Sequence, residues 1–162
     1  MKKDYHKTTC DYSGRTVDML LLQFVKEPVD EVIVKPDVSK SPMITTGVEK
    51  LVQRYAILFL TQLGTVKNCE NEGTEFLTLL GSGKIYDINT LRSAAAAANA
   101  TVLRQIKSED KYLDTDDDEA LEYSEITETS IDRSTATVFV TVKITSVAGE
   151  TYTYTTPLMT GV

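Results

Sequence analysis

Thr137-Val138-Phe139-Val140-Thr141-Val142-Lys143-Ile144 decides the fold class, because its side chains alternate without a break. Val138, Val140, Val142 and Ile144 fall on one face, and Thr137, Phe139, Thr141 and Lys143 on the other. A period of two is the strand signature. Val147-Ala148-Gly149-Glu150 then turns the chain, and Tyr152 and Tyr154 alternate with Thr151, Thr153 and Thr155. The reading predicts a hairpin over 136–156. A further strand near 123–131, joined through Asp132-Arg133-Ser134, completes a small antiparallel meander.

Upstream the period changes to that of a helix. Val48, Leu51, Val52, Tyr55, Leu58, Phe59 and Leu63 recur at spacings of three and four, which predicts an amphipathic helix over 48–63. Thr46 stands three residues before Glu49, the capping-box spacing, and Gly64 supplies a stop. Thr74–Leu80 reads as a short helix closed by Gly81. A third helix over 88–107 is capped by Asp87 or Asn89 and carries the stripe Leu91, Ala95, Ala98, Val102, Ile106. Alanines 94–98 keep that stripe thin, which suits either a close helix–helix contact or an ordinary helix on its own core.

Before residue 47 the pattern breaks up. Leu20-Leu21-Leu22 fits helix or strand, Val32-Ile33-Val34 is a short run, and prolines 28, 36 and 42 forbid one continuous helix. Residues 1–46 are therefore expected to be an extended arm holding short strands. The fold class is α+β: amphipathic helices packed on a small antiparallel β-meander with a C-terminal hairpin, plus the arm, with residues 47–162 as the domain.

Composition narrows function. The chain has 162 residues, long enough for a core without a disulfide or metal staple. Its formal net charge is −7, and residues 109–128 hold ten acids against the single base Lys111, a local balance of −9. The rest of the chain balances at +2, so the acidity is one local feature. That balance argues against a nucleic-acid surface. One histidine and two cysteines leave little for nucleophilic or metal chemistry, and a non-enzyme with no cofactor is expected. No apolar stretch approaches the ~20 residues of a membrane helix. Cys10 and Cys69 are too sparse for a disulfide framework, and a soluble chain with free thiols follows.

Several motifs invite chemistry and fail on their spacing. Gly81-Ser82-Gly83-Lys84 has Thr78 where a phosphate loop needs its first glycine, and Ile85 where it needs a hydroxyl. Asp114, Asp116, Asp118 and Glu125 imitate a calcium loop, but Glu119 occupies the position of the turning glycine. A helical turn capped by Asp116, with Glu119 completing a capping box, explains the acids better; a small calcium-binding domain is the alternative from another class. His6 has no matched nucleophile. Asn99-Ala100-Thr101 fits a glycosylation triplet but lies within the third helix. What remains is architectural: a Thr/Tyr strand near the C-terminus, followed by Pro157, that forms either an edge for β-augmentation or one covered by the chain's own arm.

The segments Gly47–Tyr55, Leu58–Thr65 and Gly73–Leu77, in that order, resemble the sheath-initiator family of small baseplate wedge proteins in contractile phage tails. The order of elements in that family matches from about residue 44 to 156. The family's Glu-Pro-Arg motif has no counterpart after the third helix, where Lys107-Ser108-Glu109-Asp110 stands, and Glu27-Pro28 is followed by Val29. The resemblance implies a virion protein of the tail baseplate, made in the bacterial cytoplasm, without catalysis. It implies six copies around the tail, in contact with tail sheath protein and with baseplate wedge and tail-tube proteins. On this basis Val138, Val140, Val142, Ile144, Tyr152 and Tyr154 are expected at the sheath contact, and Leu20, Leu22, Phe24, Leu91, Ala95 and Ala98 at the wedge or tube contact. A tail-completion or neck connector protein is the alternative within the structural class.

Overall fold

Alternating valines become an inner sheet face when a helix layer covers one side only. The computed structural model describes residues 18–19, 22–26, 32–36 and 44–160. Ten elements follow in order: β1 (Asp18–Met19), β2 (Leu22–Lys26), β3 (Val32–Pro36), β4 (Ile44–Thr45), α1 (Gly47–Leu60), α2 (Phe76–Gly81), α3 (Ile88–Asp110), β5 (Leu121–Asp132), β6 (Thr137–Ser146) and β7 (Thr151–Met159). The fold is α+β. Strands β5, β6 and β7 form the antiparallel meander, with Val142 opposite both Ile126 and Tyr154.

The arm contributes more than isolated strands. β2 and β3 pair antiparallel as a hairpin, and β3 runs parallel to β7 through Ile33↔Thr155, giving the order β2-β3-β7-β6-β5. β1 pairs with β4 in a separate two-stranded sheet. Of the two readings of the C-terminal strand, the structure shows the one covered by the chain's own arm: β7 lies inside a mixed five-stranded sheet.

The core is one cluster between the sheet and the helices. Val138, Val140, Val142, Ile144 and Tyr154 meet Leu51, Val52, Tyr55 and Phe59 of α1 and Leu91, Ala95, Val102 and Ile106 of α3. Each large aliphatic side chain buried there contributes roughly 1.5–3 kcal/mol. Tyr55 stacks on Phe59 at 6.0 Å, meets Tyr154 edge-on at 6.4 Å, and Phe59 tilts against Phe76 at 5.0 Å. Asn99 ties the layers together: its Oδ1 accepts from Tyr55 Oη (2.5 Å) and Ser124 Oγ (2.7 Å), while its Nδ2 donates to the Ser124 carbonyl.

All three helices differ from their sequence expectation at one boundary or more, α2 starting at Phe76 rather than Thr74 and including Gly81. α1 ends at Leu60 rather than 63, because Thr61–Leu63 turns extended and pairs with Thr74. The Thr74 amide donates to the Thr61 carbonyl at 2.8 Å, and the Leu63 amide to the Thr74 carbonyl at 2.9 Å. Leu63 consequently leaves the apolar stripe and is exposed. At the other end Thr46 caps by position but its side chain makes no cap hydrogen bond. The Gly47 amide is taken instead by the Glu119 carboxylate at 3.1 Å, from 72 residues away. α3 keeps its expected start, where Asp87 Oδ1 accepts from the Thr90 amide at 2.6 Å, and runs three residues further, to Asp110.

Candidate strand-edge interface

Hydrogen-bond parity decides which backbone groups of β7 face outward. The Thr160 amide donates to the Ala136 carbonyl, and the Ser146 amide to that of Glu150. Those bonds bracket the pairs Thr137↔Met159 and Thr145↔Thr151, so both are non-hydrogen-bonded pairs. Alternation then makes Phe139↔Pro157, Thr141↔Thr155 and Lys143↔Thr153 non-hydrogen-bonded as well. The backbones of Thr151, Thr153, Thr155, Pro157 and Met159 therefore point away from β6 and toward β3. Thr155 is the residue that Ile33 meets. Two positions further, the ring nitrogen of Pro157 has no proton to donate, which closes the ladder on that side.

Of the expected sheath-contact side chains, Val138, Val140, Val142, Ile144 and Tyr154 lie in the protein's own core, each at most 1% exposed. Their side chains are thus corrected to core residues, because the face they share is the one the helices cover. Tyr152 is half-buried at the margin of that core. Leu91, Ala95 and Ala98 are likewise internal, filling the α3 face packed on the core. Leu20 lies outside the described residues, and Leu22 and Phe24 stand on β2 opposite Pro36 and Val34. The valine row therefore faces the chain's own helices.

The opposite face is a threonine surface, exposed at Thr151 and Thr153 and buried at Thr155. Thr141 and Thr155 join across strands at 2.9 Å between their hydroxyls, Thr145 and Thr151 at 3.4 Å, and Lys143 pairs with Glu125 at 3.5 Å. Met159, 81% exposed, ends it beside Thr137. The outer edge of β5 is blunted. Register shifts at Leu121/Tyr123 and Ile126/Glu128 leave Glu122 and Thr127 as extra residues, and Glu122, Glu125, Glu128 and Asp132 line the strand. Bulges and charges at an edge discourage strand addition.

The acidic stretch divides between anchors and surface. Arg54 forms ion pairs with Glu109 (2.6 Å) and Asp110 (2.7 Å), and the second carboxylate oxygen of Asp110 accepts from the Leu121 amide. Burial alone would lower the Arg54 pKa, but the hydrogen bonds it donates to Asp110 and Glu109 outweigh it and hold the guanidinium charged. Glu119, only 4% exposed, binds Lys50 Nζ at 2.6 Å besides the Gly47 amide. The expected turn at Asp116 is present, with the Glu119 and Ala120 amides donating to the Asp116 carbonyl. Glu119 turns its carboxylate toward α1, however, and Glu125 faces Lys143, so the calcium-like spacing does not converge in space. Among the described residues there is no group of three or more His, Cys, Asp or Glu placed to hold a metal. Lys50 and Arg54 escaped the sequence reading because i, i+4 bases on an amphipathic helix look like ordinary solvated charges.

A groove of about 590 Å³ lies between α2 and α3, lined by Phe76, Leu79, Ala94, Ala98, Thr101 and Gln105 among others. Glu75 and Arg104 are the ionisable groups along it. The described helices include none long and apolar enough to cross a membrane. No family model, curated protein or solved structure matches this chain.

Proposed function

We propose that the protein is a non-catalytic structural component of a contractile phage tail baseplate, a sheath initiator that joins wedge and tube proteins and templates the first sheath ring by strand pairing. The supporting observation is that the backbone of β7 already accepts a strand from a remote segment, β3, in the main-chain mode an incoming foreign strand would use. The resemblance in residues 47–77 and the order of helix, short helix, long helix and β-meander agree with it. In this reading the partners are sheath, wedge and tube proteins, six copies surround the tail, and the location is the virion. The contact to sheath runs along the outward backbone of Thr151 and Thr153, beside the Thr155 position that β3 occupies.

The experiment is sheath polymerisation on baseplates carrying a folded Thr153→Pro variant. Thr153 directs its amide away from β6, so proline there removes an outward donor and leaves the β6–β7 ladder intact. Thr141→Pro is the poorer probe, because the Thr141 amide points to β5 and its loss breaks an internal ladder. Sheath assembly on Thr153→Pro baseplates at the wild-type rate counts against the reading.

A further inference from the structure

We propose that the groove between α2 and α3 takes the loop that follows α3 in a second copy of this chain, with Tyr112 as the anchor. The inference is independent of the baseplate reading and uses no part of β7. The groove holds about 590 Å³, within the roughly 300–1,000 Å³ range of binding pockets. A floor of Ala94, Ala97 and Thr101 leaves room for a large side chain beside Phe76 and Leu79. Glu75 is the acid along it, and Arg104 lines it toward the C-terminal end of α3. Lys107 follows Arg104 at the i, i+3 spacing, so the two bases share that end of the helix surface. Both are exposed, and neither has an ion pair among the described residues.

The loop carries the complementary features. Tyr112 is 87% exposed and Leu113 59%, an apolar pair that the chain's own fold leaves in solvent. Asp114, Asp116 and Asp117 follow, all exposed, and acids set against bases steer and orient an encounter. The loop does not fill its own groove. The Tyr112 and Leu113 amides donate to the Glu109 carbonyl, and the Ala148 amide donates to that of Asp117 at 2.9 Å, so both ends are fixed. Among the described residues, none from the loop lines the groove of its own chain. With the ring of Tyr112 seated in a second copy's groove, Asp114 lies within about 7 Å along the chain, in reach of Arg104. A buried tyrosine contributes roughly 150–250 Å² of contact, so an interface built on this anchor is small and its affinity micromolar to millimolar. Groove and loop are different surfaces: reciprocal docking gives a pair, and one-way docking gives a ring or chain of copies.

The test measures the mass of the full-length chain by light scattering from about 1 μM to about 1 mM, at low and at high salt. Arg104→Glu disables the groove and Tyr112→Ser the loop; both positions are exposed, and circular dichroism checks that each variant keeps the wild-type fold. Arg104→Gln or Tyr112→Ala replaces a variant that fails to fold. The expected result is a wild-type species of two or more chains, weakened by salt, with the dissociation constant raised about tenfold or more in each variant. Mixing the two variants decides the pairing, since the mixture keeps one intact groove and one intact loop. It should form a species of two chains, one of each variant, at concentrations where either alone is single. A wild-type chain that stays single throughout overturns the proposal and leaves the groove to a partner of another kind. Assembly that neither substitution weakens overturns it as well, and so does a mixture that stays single.

Discussion

Gly73 adopts φ +95°, and a Cβ placed there would lie 2.5 Å from the Thr61 carbonyl oxygen. The backbone cannot yield, because the neighbouring Thr74 amide donates to that same carbonyl and Gln105 Nε2 donates to the Gly73 carbonyl at 3.0 Å. Strain of this kind costs about 1–3 kcal/mol before the clash is counted. Gly73→Ala is therefore expected to lower stability by more than about 2 kcal/mol in urea unfolding, and an effect under half that contradicts this account of the loop. Ala136 carries the opposite signature, an L-residue at φ +51° in the β5–β6 turn. Relief of its left-handed strain, about 1–2 kcal/mol, exceeds the entropic cost of glycine, so Ala136→Gly should leave stability unchanged or raise it slightly. In the same turn Asp132 is held at about 2 by the Ser134 hydroxyl, the Thr135 hydroxyl and the Ser134 amide. A depressed carboxyl stabilises the fold above its unfolded value near 3.8 and loses that contribution as pH falls toward about 2. Asp132→Asn should flatten the acid limb of the stability curve in that window. Burial raises the Tyr55 pKa against the opposing polar contact with Ser124, and burial followed by the Tyr55 neighbour raises that of Tyr154. Groups raised in the folded state stabilise fully below their unfolded value near 10 and less above it. Ultraviolet titration should show these two phenols ionising only with alkaline unfolding.

At the scale of elements, α1 is fixed from both sides. Its hydrophobic stripe faces the sheet and α3, while Arg54 holds the last turn of α3 and Lys50 holds Glu119 in the acidic segment that follows. Removing the nearly buried Glu119 takes away the acceptor of the Gly47 amide and an ion pair of Lys50, and truncating one partner of a buried pair costs about 3–5 kcal/mol. Lys50 is 19% exposed and softens that figure, so Glu119→Ala should destabilise by about 2–4 kcal/mol. Ala95 tests the α3 contact. It is fully buried, and Ala95→Leu should cost about 1–3 kcal/mol by overpacking, whereas a residue reserved for a partner would tolerate the change in the isolated protein.

These elements also mark how far the sequence could be read. The β6 alternation, the Asp87 cap and the Leu91–Ile106 stripe were legible because each depends on neighbours within a few residues. The α1 N-terminus misled, since Thr46 and Glu49 have the right spacing but Glu119 competes from across the fold. The helix C-terminus misled for the same reason, with Thr74 drawing Thr61–Leu63 into a bridge. The sheath-contact residues were chosen for their pattern. An alternating row identifies a strand's two faces, yet nothing local says that it is the valine face that meets the helices.

Across the whole molecule, the two flanks of the meander differ. β5 carries bulges and acids along its free side, and β7 offers a row of outward amides and carbonyls that ends at Pro157 and is met by β3. Under the proposed function, strand pairing at β7 serves both the arm and assembly through main-chain hydrogen bonds; within the chain that pairing is the one between β3 and β7. Such pairing is insensitive to side-chain identity on the core face. Conservative core changes such as Val140→Ile should therefore leave assembly intact if the fold survives, while Thr153→Pro should block it at nearly unchanged stability.

The most direct measurement is a reconstruction of the purified particle at a resolution that traces strands around this chain. The expected result is a strand from another subunit hydrogen-bonded to the outward backbone of Thr151 and Thr153. Density in which that row is paired only by the chain's own β3, with no other subunit along the sheet, would contradict it.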